Sequence, residues 1–370
     1  MRRFFLAKAL FTLGTASISL FLPVFFVSGH VPVLQVFLFF CLTSFSHALL
    51  VRTAMRATTS YGITTVFASG IVLYVVFYLA VRQVELKGLI FFALAGLLGC
   101  ANACYWTGYH LFLATRRAER HGSRIGALNN ISTAASVCGP AIGAVIISHV
   151  GFGVMFFLAA SCMALSVVPL LREPRIKMDA CPSFVAVTRT RPFGEVLALS
   201  VGFAAEDSVQ NMVWPFYLFA MSIMSVTRLG LTYSVIFAAM LLITHGIGRA
   251  VDRSPTTVLR VGALWMAAMN VARAMGAVSP GNAAAITLMT ASGNTSATLP
   301  FDAICYERAH ECGAAEYILF RETWINLGAA VIFAIGALAN SFSVLFWIGA
   351  GASLGYLLFA GNTSPERVGA

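Results

Sequence analysis

The sequence predicts an all-α membrane protein with about twelve transmembrane helices, arranged in two pseudo-symmetric six-helix bundles. Of its 370 residues, 59% are hydrophobic and only 10% are charged, whereas about 25% of the residues of a soluble globular chain are charged. The hydrophobic residues also come in long blocks, and the basic residues gather between alternate blocks. These three observations exclude an ordinary water-soluble globule.

The apolar blocks define the predicted membrane crossings. A helix of roughly 20 apolar residues spans the hydrocarbon core of a bilayer. The blocks lie near residues 4–28, 32–50, 62–81, 88–114, 125–149, 153–171, 194–222, 229–248, 257–279, 283–304, 318–340 and 341–360. An even number of crossings places both chain termini on the same side of the membrane.

The basic residues give these crossings an orientation. With the N-terminus inside, all but four of the 24 Lys and Arg residues fall on the inside, as the positive-inside rule predicts. The net charge of +10 therefore reflects topology and does not indicate nucleic acid. We expect a monomeric multi-pass protein of the inner or plasma membrane, surrounded by lipid, with cytoplasmic N- and C-termini. The four outside residues are Arg82, Lys87, Arg228 and Arg273, the last extending its charge outward to the interface.

A polar segment in the middle of the chain divides the blocks into six and six. We expect residues 1–172 to form an N-terminal six-helix bundle and residues 194–370 a C-terminal one, joined by a cytoplasmic linker at 173–193. Short matches recur at a separation close to half the chain length, as internal duplication would produce. The matching pairs are Arg117-Ala118 with Arg308-Ala309, and Leu22-Pro23-Val24-Phe25 with Trp214-Pro215-Phe216-Tyr217.

Two adjacent acids in the seventh block are the main candidates for chemistry. Glu206 and Asp207 lie about twelve residues into the block, roughly 18 Å deep at 1.5 Å per residue and so near the bilayer midplane. Gln210 and Asn211 follow one turn later on the same two faces. Because acids at this depth are costly, they usually face a cavity or a partner. We expect at least one to bind a proton, a cation or a cationic substrate; the alternative is that both pair with polar groups of the helices.

The fourth block adds polar and aromatic candidates. Asn102, Tyr105, Trp106 and Tyr109 lie at or near helical spacing, and aromatic side chains with polar tips suit a wet cavity wall. The alternative is ordinary aromatic packing. His110 follows, near the predicted inside end, either as an interfacial residue or as a proton relay. Asp302, Arg321 and Glu322 lie at the ends of spans, where most charges are interfacial anchors. Arg321 and Glu322 lie on different faces of their helix, and the alternative is that they pair across to Arg124 or Arg117 at the symmetric site.

A short pattern follows the eighth block and recurs incompletely after the second. Gly248, Asp252 and Arg253 form a G-x-x-x-D-R sequence, whereas Val51 replaces the aspartate before Arg52 in the first half. An aspartate near the start of a facing helix complements the helix dipole. We expect Gly248, Asp252, Arg253 and Arg52 to act in gating; the alternative for Asp252 is a solvated acid that holds a tight turn.

The fifth block contains Gly139-Pro140-x-x-Gly143. A proline kinks a membrane helix, and small residues let a second helix approach closely. Gly139, Pro140 and Gly143 therefore form either a functional gating element or a simple packing notch.

With these motifs the chain resembles the major facilitator superfamily of secondary transporters. That family carries G-x-x-x-D-R between its second and third spans, often echoed between the eighth and ninth, and many of its exporters carry G-P-x-x-G in the fifth span. The resemblance covers essentially the whole chain. It implies a six-plus-six helical fold, a midplane site exposed alternately to each side, a cavity lined by spans 1, 4, 7 and 10, and antiport rather than uptake.

The resemblance and the midplane acids together predict a secondary active transporter that exports a small molecule in exchange for protons. The alternatives are a gradient-driven uptake carrier and a non-transporting membrane receptor or scaffold, which a sealed and dry centre would favour. The sequence contains no nucleotide-binding loop or nucleophile elbow, and its eight cysteines show no metal or disulfide spacing. We therefore expect no enzyme activity, no cofactor and no metal.

Overall fold

The computed structural model describes residues 2–83, 86–116, 122–173, 176–189 and 193–357, without the side chains at 2, 114–116, 122–133, 186–187, 193, 306–307 and 310–312. The residues so described form helices and short connections, with no β-strand. The predicted all-helical class is confirmed. Arg117 and Ala118 of the first repeat copy, and the C-terminal tail from 358, lie outside the described residues.

The described part of the first half forms seven helices. They are α1 (Arg2–Ile18), α2 (Leu22–Ser28), α3 (Val33–Tyr61), α4 (Ile63–Gln83), α5 (Gly88–Arg116), α6 (Gly122–His149) and α7 (Phe152–Leu171). A single 3₁₀ turn, Ser19–Phe21, joins α1 to α2. Pro23 stands in the first turn of α2, where a proline costs no helical hydrogen bond.

The described part of the second half forms nine helices, several of them short. They are α8 (Phe184–Arg189), α9 (Phe193–Leu197), α10 (Ala204–Ser208), α11 (Trp214–Ala220), α12 (Val226–Arg253), α13 (Pro255–Ala274), α14 (Ala283–Cys312), α15 (Ala314–Ala339) and α16 (Phe342–Ser353). The π-helical segments Ala198–Phe203 and Val209–Val213 connect α9, α10 and α11, so these three helices form one continuous helical rod.

Seven helical stretches in the described part of the chain are long and apolar enough to cross a membrane. They are Arg3–Ser28, Val33–Tyr61, Ile63–Gln83, Gly88–Leu113, Phe152–Leu171, Val226–Arg253 and Ala314–Ala339. A multi-pass membrane protein is therefore confirmed. The remaining predicted crossings stay predictions, because their helices are short, broken by π-turns, or rich in polar residues such as Asn270 and Arg273 in α13.

Three helices run beyond the apolar blocks that predicted them. The second block ends near residue 50, but α3 continues to Tyr61; α12 continues to Arg253, and α14 to Cys312. Helical hydrogen bonds are local, so a helix does not have to end where its side chains become polar. As a result Arg52 and the G-x-x-x-D-R sequence lie on helices, not in the predicted loops.

Helices of each half pack mainly with one another, and two of the most extensive helix contacts join the halves. In the first half α1 packs on α6 and α7, and α5 packs on α3 and α4; in the second, α13 packs on α14 and α16. Across the halves, α3 packs along α15 and α6 along α12. These are the second with the eleventh predicted span, and the fifth with the eighth. A two-fold relation between duplicated halves would map one of these pairs onto the other.

Hydrogen bonds between connecting segments show which of them lie at the same end of the molecule. Arg3 Nη1 donates a hydrogen bond of 2.7 Å to the Arg172 carbonyl, and the amide of Ile63 donates one of 2.8 Å to the Ile176 carbonyl. The N-terminus, the α3–α4 turn and the central linker therefore lie at one end of the molecule. The topology predicted from the basic residues requires these three segments to lie on the same side of the membrane.

The small residues of the fifth block form a tight contact between three helices. A Cβ atom added to Gly139 would lie 2.6 Å from the Ala16 Cβ, and one added to Gly143 would overlap the Ser17 carbonyl oxygen of α1. On the other side of α6, the Ala141 amide donates a hydrogen bond of 2.9 Å to Ser234 Oγ of α12. The segment around Pro140 is therefore packed on both faces.

Replacing Gly143 with valine should lower the free energy of unfolding by about 1–3 kcal/mol, the usual cost of overpacking a core. The added atoms meet α1 backbone, which cannot rotate away as a flexible side chain can. Thermal unfolding of the detergent-purified protein measures this. As a control, Gly246→Val in α12 adds its side chain to open space and should change stability by no more than about 0.5 kcal/mol. Equal destabilisation of both variants would contradict the packing argument.

Candidate functional site

A cavity of about 740 Å³ lies between the two halves of the chain. Its volume is in the range of small-molecule sites, about 300–1,000 Å³. The first half contributes side chains from α2, α3, α4 and α5, and the second half from the π-interrupted rod, α14 and α15. The centre of the molecule is therefore hollow, contrary to what the scaffold alternative requires.

Five of the predicted binding residues line this cavity. They are Asn102, Trp106, Tyr109, Asp207 and Asn211. Asp207 and Asn211 are exposed to it, and Asn211 Nδ2 donates a hydrogen bond of 2.7 Å to Asp207 Oδ1. On the opposite wall, the hydroxyl of Tyr74 donates to Asn102 Oδ1. The cavity thus has amide and carboxylate groups on both halves.

The two neighbouring acids of the seventh block face in different directions. Consecutive residues on a helix are about 100° apart, so Glu206 turns away from the cavity when Asp207 faces it. Both stand on α10, between the two π-helical segments. Such π-turns are uncommon and frequently accompany functional sites.

Glu206 and Gln210 belong to a buried polar cluster behind the cavity. Glu206 Oε1 accepts hydrogen bonds from Asn270 Nδ2, at 3.0 Å, and from the Ser353 hydroxyl. Arg273 Nη2 donates to Gln210 Oε1 at 3.0 Å, and Arg273 Nη1 donates to Asn270 Oδ1 at 3.3 Å. This cluster joins α10 to α13 and α16. Glu206 and Gln210, predicted to bind substrate, do not line the cavity in this conformation.

Arg273 also corrects the prediction of an outward-reaching side chain. Only 1% of the residue is exposed, and its guanidinium carbon lies 3.9 Å from the centroid of the Trp214 ring. The hydrogen bonds to Gln210 and Asn270 make burial possible for this charge. One sequence signal was available, because Asn270 precedes Arg273 by three residues and so shares its helix face.

Tyr105 lies behind the cavity wall instead of within it. The residue is fully buried, and its hydroxyl accepts a hydrogen bond of 2.9 Å from Lys8 Nζ. The same ammonium lies 4.4 Å from the centroid of the Tyr109 ring. For Tyr105 the alternative reading, ordinary aromatic packing, describes the geometry better. Lys8 reaches from α1 into this aromatic group.

Charged residues of α14 and α15 form an ion network that crosses between the halves. Arg321 Nη2 lies 2.8 Å from Asp302 Oδ1, and Arg321 Nη1 lies 2.7 Å from Glu322 Oε1. On the first half, His110 Nε2 lies 3.5 Å from Glu322 Oε1, and His47 Nε2 lies 3.7 Å from Glu322 Oε2. All five residues line the cavity.

This network corrects the expectation that Asp302, Arg321 and Glu322 are interfacial anchors. Helix α15 begins at Ala314, so Arg321 lies about 10 Å along it at 1.5 Å per residue. The block boundaries placed these residues too close to the membrane surface. Arg321 and Glu322 also pair with each other although they are consecutive, because both side chains are long enough to meet beside the helix.

Four of the predicted gating residues lie on helix surfaces that do not face the cavity. Arg52, Asp252 and Arg253 are exposed, and Gly248 is half-buried with open space around it. Within the described ranges, no hydrogen bond or ion pair joins the side chains of Arg52, Asp252 and Arg253 to another residue. Their role in gating stays a prediction.

Aromatic rings of the two halves are in contact beyond one end of the cavity. The Phe37 ring of α3 lies 5.8 Å from that of Phe216 in α11 and 5.7 Å from that of Phe342 in α16, measured between centroids. The cavity wall follows α15 from Phe333 back to Ala314. The cavity therefore extends away from this aromatic layer, toward the end that carries the central linker.

Comparison with solved structures identifies the fold. No protein-family model matches the chain, and no curated protein matches it in sequence. Solved structures do match. The nucleoside transporter NupG aligns with a TM-score of 0.73 at 13% identity, covering 98% of this chain and 99% of that one. The chain has the fold of the major facilitator superfamily.

Two further solved structures have a similar fold. A bacterial homologue of the iron transporter ferroportin, in the inward-facing state, aligns with a TM-score of 0.66 at 16% identity over 97% of each chain. A POT family transporter in complex with 5-aminolevulinic acid aligns with a TM-score of 0.67 at 13% identity, covering 96% of this chain and 94% of that one. The family resemblance stated from the sequence motifs is thereby confirmed at the level of the major facilitator fold.

Proposed function

We propose that the protein is a secondary active transporter that moves a small molecule by alternating access, and that it exports its substrate in exchange for protons. The observation that carries this proposal is the cavity of about 740 Å³ whose wall is built from both halves. A site between two bodies can be opened to either side by rocking one against the other. The structurally similar proteins are transporters of different solutes, in accord with this function.

The ion network supplies a candidate for proton coupling. His47 and His110 belong to the first half, and Glu322 and Arg321 to the second. Any rocking motion must separate these pairs, so the charge on the histidines and on Glu322 alters the relative stability of the two states. A ligand shifts a conformational equilibrium only through such a difference in interaction. A proton bound to His47, His110 or Glu322 would interact differently with the two states and would therefore shift the equilibrium between them.

Asp207 completes the proposed assignment. Of the two acids first considered for coupling, Asp207 faces the cavity, whereas Glu206 is enclosed by Asn270 and Ser353. We assign substrate contact to Asp207 and a structural role to Glu206. The long apolar helices support a multi-pass membrane protein. We further propose that both termini are cytoplasmic, that the protein is a monomer, and that the cavity faces the cytoplasm in this conformation.

A flux assay tests the function. Purified protein is reconstituted into liposomes with an acidic lumen that contains a pH-sensitive dye, and cationic, neutral, zwitterionic and anionic organic solutes are added outside in turn. A transported solute should raise the lumenal pH, because protons leave as the solute enters. Solute entry with acidification of the lumen would indicate symport and hence uptake. No solute-dependent flux in any class, with folded protein in the vesicles, would contradict a transporter.

A further inference from the structure

The charge of the cavity wall points to the chemical class of the substrate. Among the described residues that line the cavity, Asp207, Asp302 and Glu322 carry carboxylates and Arg321 carries a guanidinium. Arg321 uses its two terminal nitrogens on Asp302 and Glu322, at 2.8 and 2.7 Å. The wall therefore has an excess of negative charge when His47 and His110 are neutral.

Asp207 holds the part of this charge that a ligand can reach. Its side chain is exposed to the cavity, and one oxygen accepts a hydrogen bond from Asn211. The charged groups that act on it are Arg321 and Asp302, and they are already joined to each other. Among the described residues no Lys, Arg or His side chain forms an ion pair with Asp207. A cationic group entering the cavity would supply that partner.

Aromatic rings of α5 are placed to receive the rest of such a molecule. Trp106 and Tyr109 both line the cavity, and ring faces attract cations through their quadrupole. The protein itself demonstrates this property, because the Lys8 ammonium lies 4.4 Å from the Tyr109 centroid and 5.6 Å from that of Trp106. Leu98 and Leu113 of the same helix also line the cavity, which suits an apolar body.

The same wall disfavours other classes of ligand. A carboxylate or phosphate would face Asp207 and Asp302, while Arg321 is already committed to two carboxylates. A metal ion is also disfavoured, because the described residues contain no group of three or more His, Cys, Asp or Glu side chains arranged to hold one. The volume of about 740 Å³ far exceeds that of a bare ion.

We propose that the cavity binds organic cations, with an amine or quaternary ammonium group at Asp207 and an apolar or aromatic body against Trp106 and Tyr109. This inference rests on the proposed transport function and names its substrate class. It also explains how protons and substrate could exchange, because protonated His47 and His110 would offset the same negative charge that a bound cation offsets.

Binding to the detergent-purified full chain tests the substrate class independently of transport. The probes are benzyltrimethylammonium, neutral benzyl alcohol and anionic phenylacetate, which share one ring and differ in charge. Calorimetric titration should show the ammonium binding at least about tenfold more tightly than the other two probes. Asp207→Asn should weaken ammonium binding by about tenfold or more, and Asp207→Glu should restore part of it. Asp179→Asn, an exposed acid of the linker, is the matched control and should bind as wild type does.

Three results would overturn the proposal: no measurable ammonium binding, equal or tighter binding of phenylacetate or benzyl alcohol, or unchanged ammonium binding in Asp207→Asn. If that variant does not fold, Trp106→Ala takes its place and should weaken ammonium binding without affecting unfolding in the absence of ligand. Failure of the transport function is distinguishable, because it would leave selective ammonium binding intact while abolishing flux in liposomes. Flux of an anionic solute without ammonium binding would overturn only the substrate class.

Discussion

Replacing Arg273 with alanine should lower the free energy of unfolding by about 3–5 kcal/mol, the usual cost of removing one partner from a buried ionic group. Arg273 is the positive member of the cluster that contains Glu206, Gln210 and Asn270. Without the guanidinium, the Glu206 carboxylate remains buried with no cation beside it. The loss of the ring contact with Trp214 adds to this effect.

Thermal and denaturant unfolding in detergent measure the change. Arg260→Ala, an exposed arginine on the same helix, is the matched control and should alter stability by no more than about 0.5 kcal/mol. The double variant Arg273→Ala/Glu206→Gln should be less destabilised than the sum of the two single variants, because it leaves neither charge unpaired. Additive effects would mean that Glu206 and Arg273 do not interact, and would contradict the cluster.

Replacing Glu322 with glutamine should reduce transport driven by a proton gradient by about tenfold or more, within the usual range for coupling between two sites. Glu322 is the acid that contacts Arg321 within its own half and both His47 and His110 across the cavity. Glutamine retains the shape and some of the hydrogen bonds but has no charge to gain or lose. Exchange of labelled substrate for unlabelled substrate, which needs no proton movement, should persist.

The comparison of these two assays in liposomes isolates coupling from binding. Glu316→Gln provides the control, since Glu316 is an exposed acid in the first turn of the same helix and should leave both rates unchanged. If Glu322→Gln is still driven by the proton gradient as wild type is, the network does not couple protons. If exchange is lost as well, Glu322 contributes to substrate binding or to the fold instead.

Part of the cavity lining could be predicted because depth along a helix can be read from residue number. Glu206 and Asp207 were placed near the midplane, and Asp207 with Asn211 does face the cavity. The choice between the two acids could not be made in advance. Consecutive residues differ by about 100° in direction, and only the positions of α13 and α16 show that Asn270 and Ser353 lie beside Glu206.

The network around Glu322 was missed for a different reason. Its members come from α3, α5, α14 and α15, and no local pattern connects them. His47 was not among the predicted site residues, while Arg321 and Glu322 were assigned to the membrane surface because the eleventh block was drawn from residue 318. A helix that begins at Ala314 moves them inward by about a turn.

The sequence by itself determined that this chain is a helical, multi-pass membrane protein. Transfer of a segment into lipid depends on its own apolar residues, and the side on which a loop remains depends on its own basic residues, so both are local properties. Only the tertiary structure decided which charges face the cavity, which are buried behind it, and which pair across the halves. Those outcomes depend on the rotation of each helix against its neighbours. Because of that rotation, Arg273 is buried behind the cavity, Asp207 faces the cavity, and Glu322 contacts the other half.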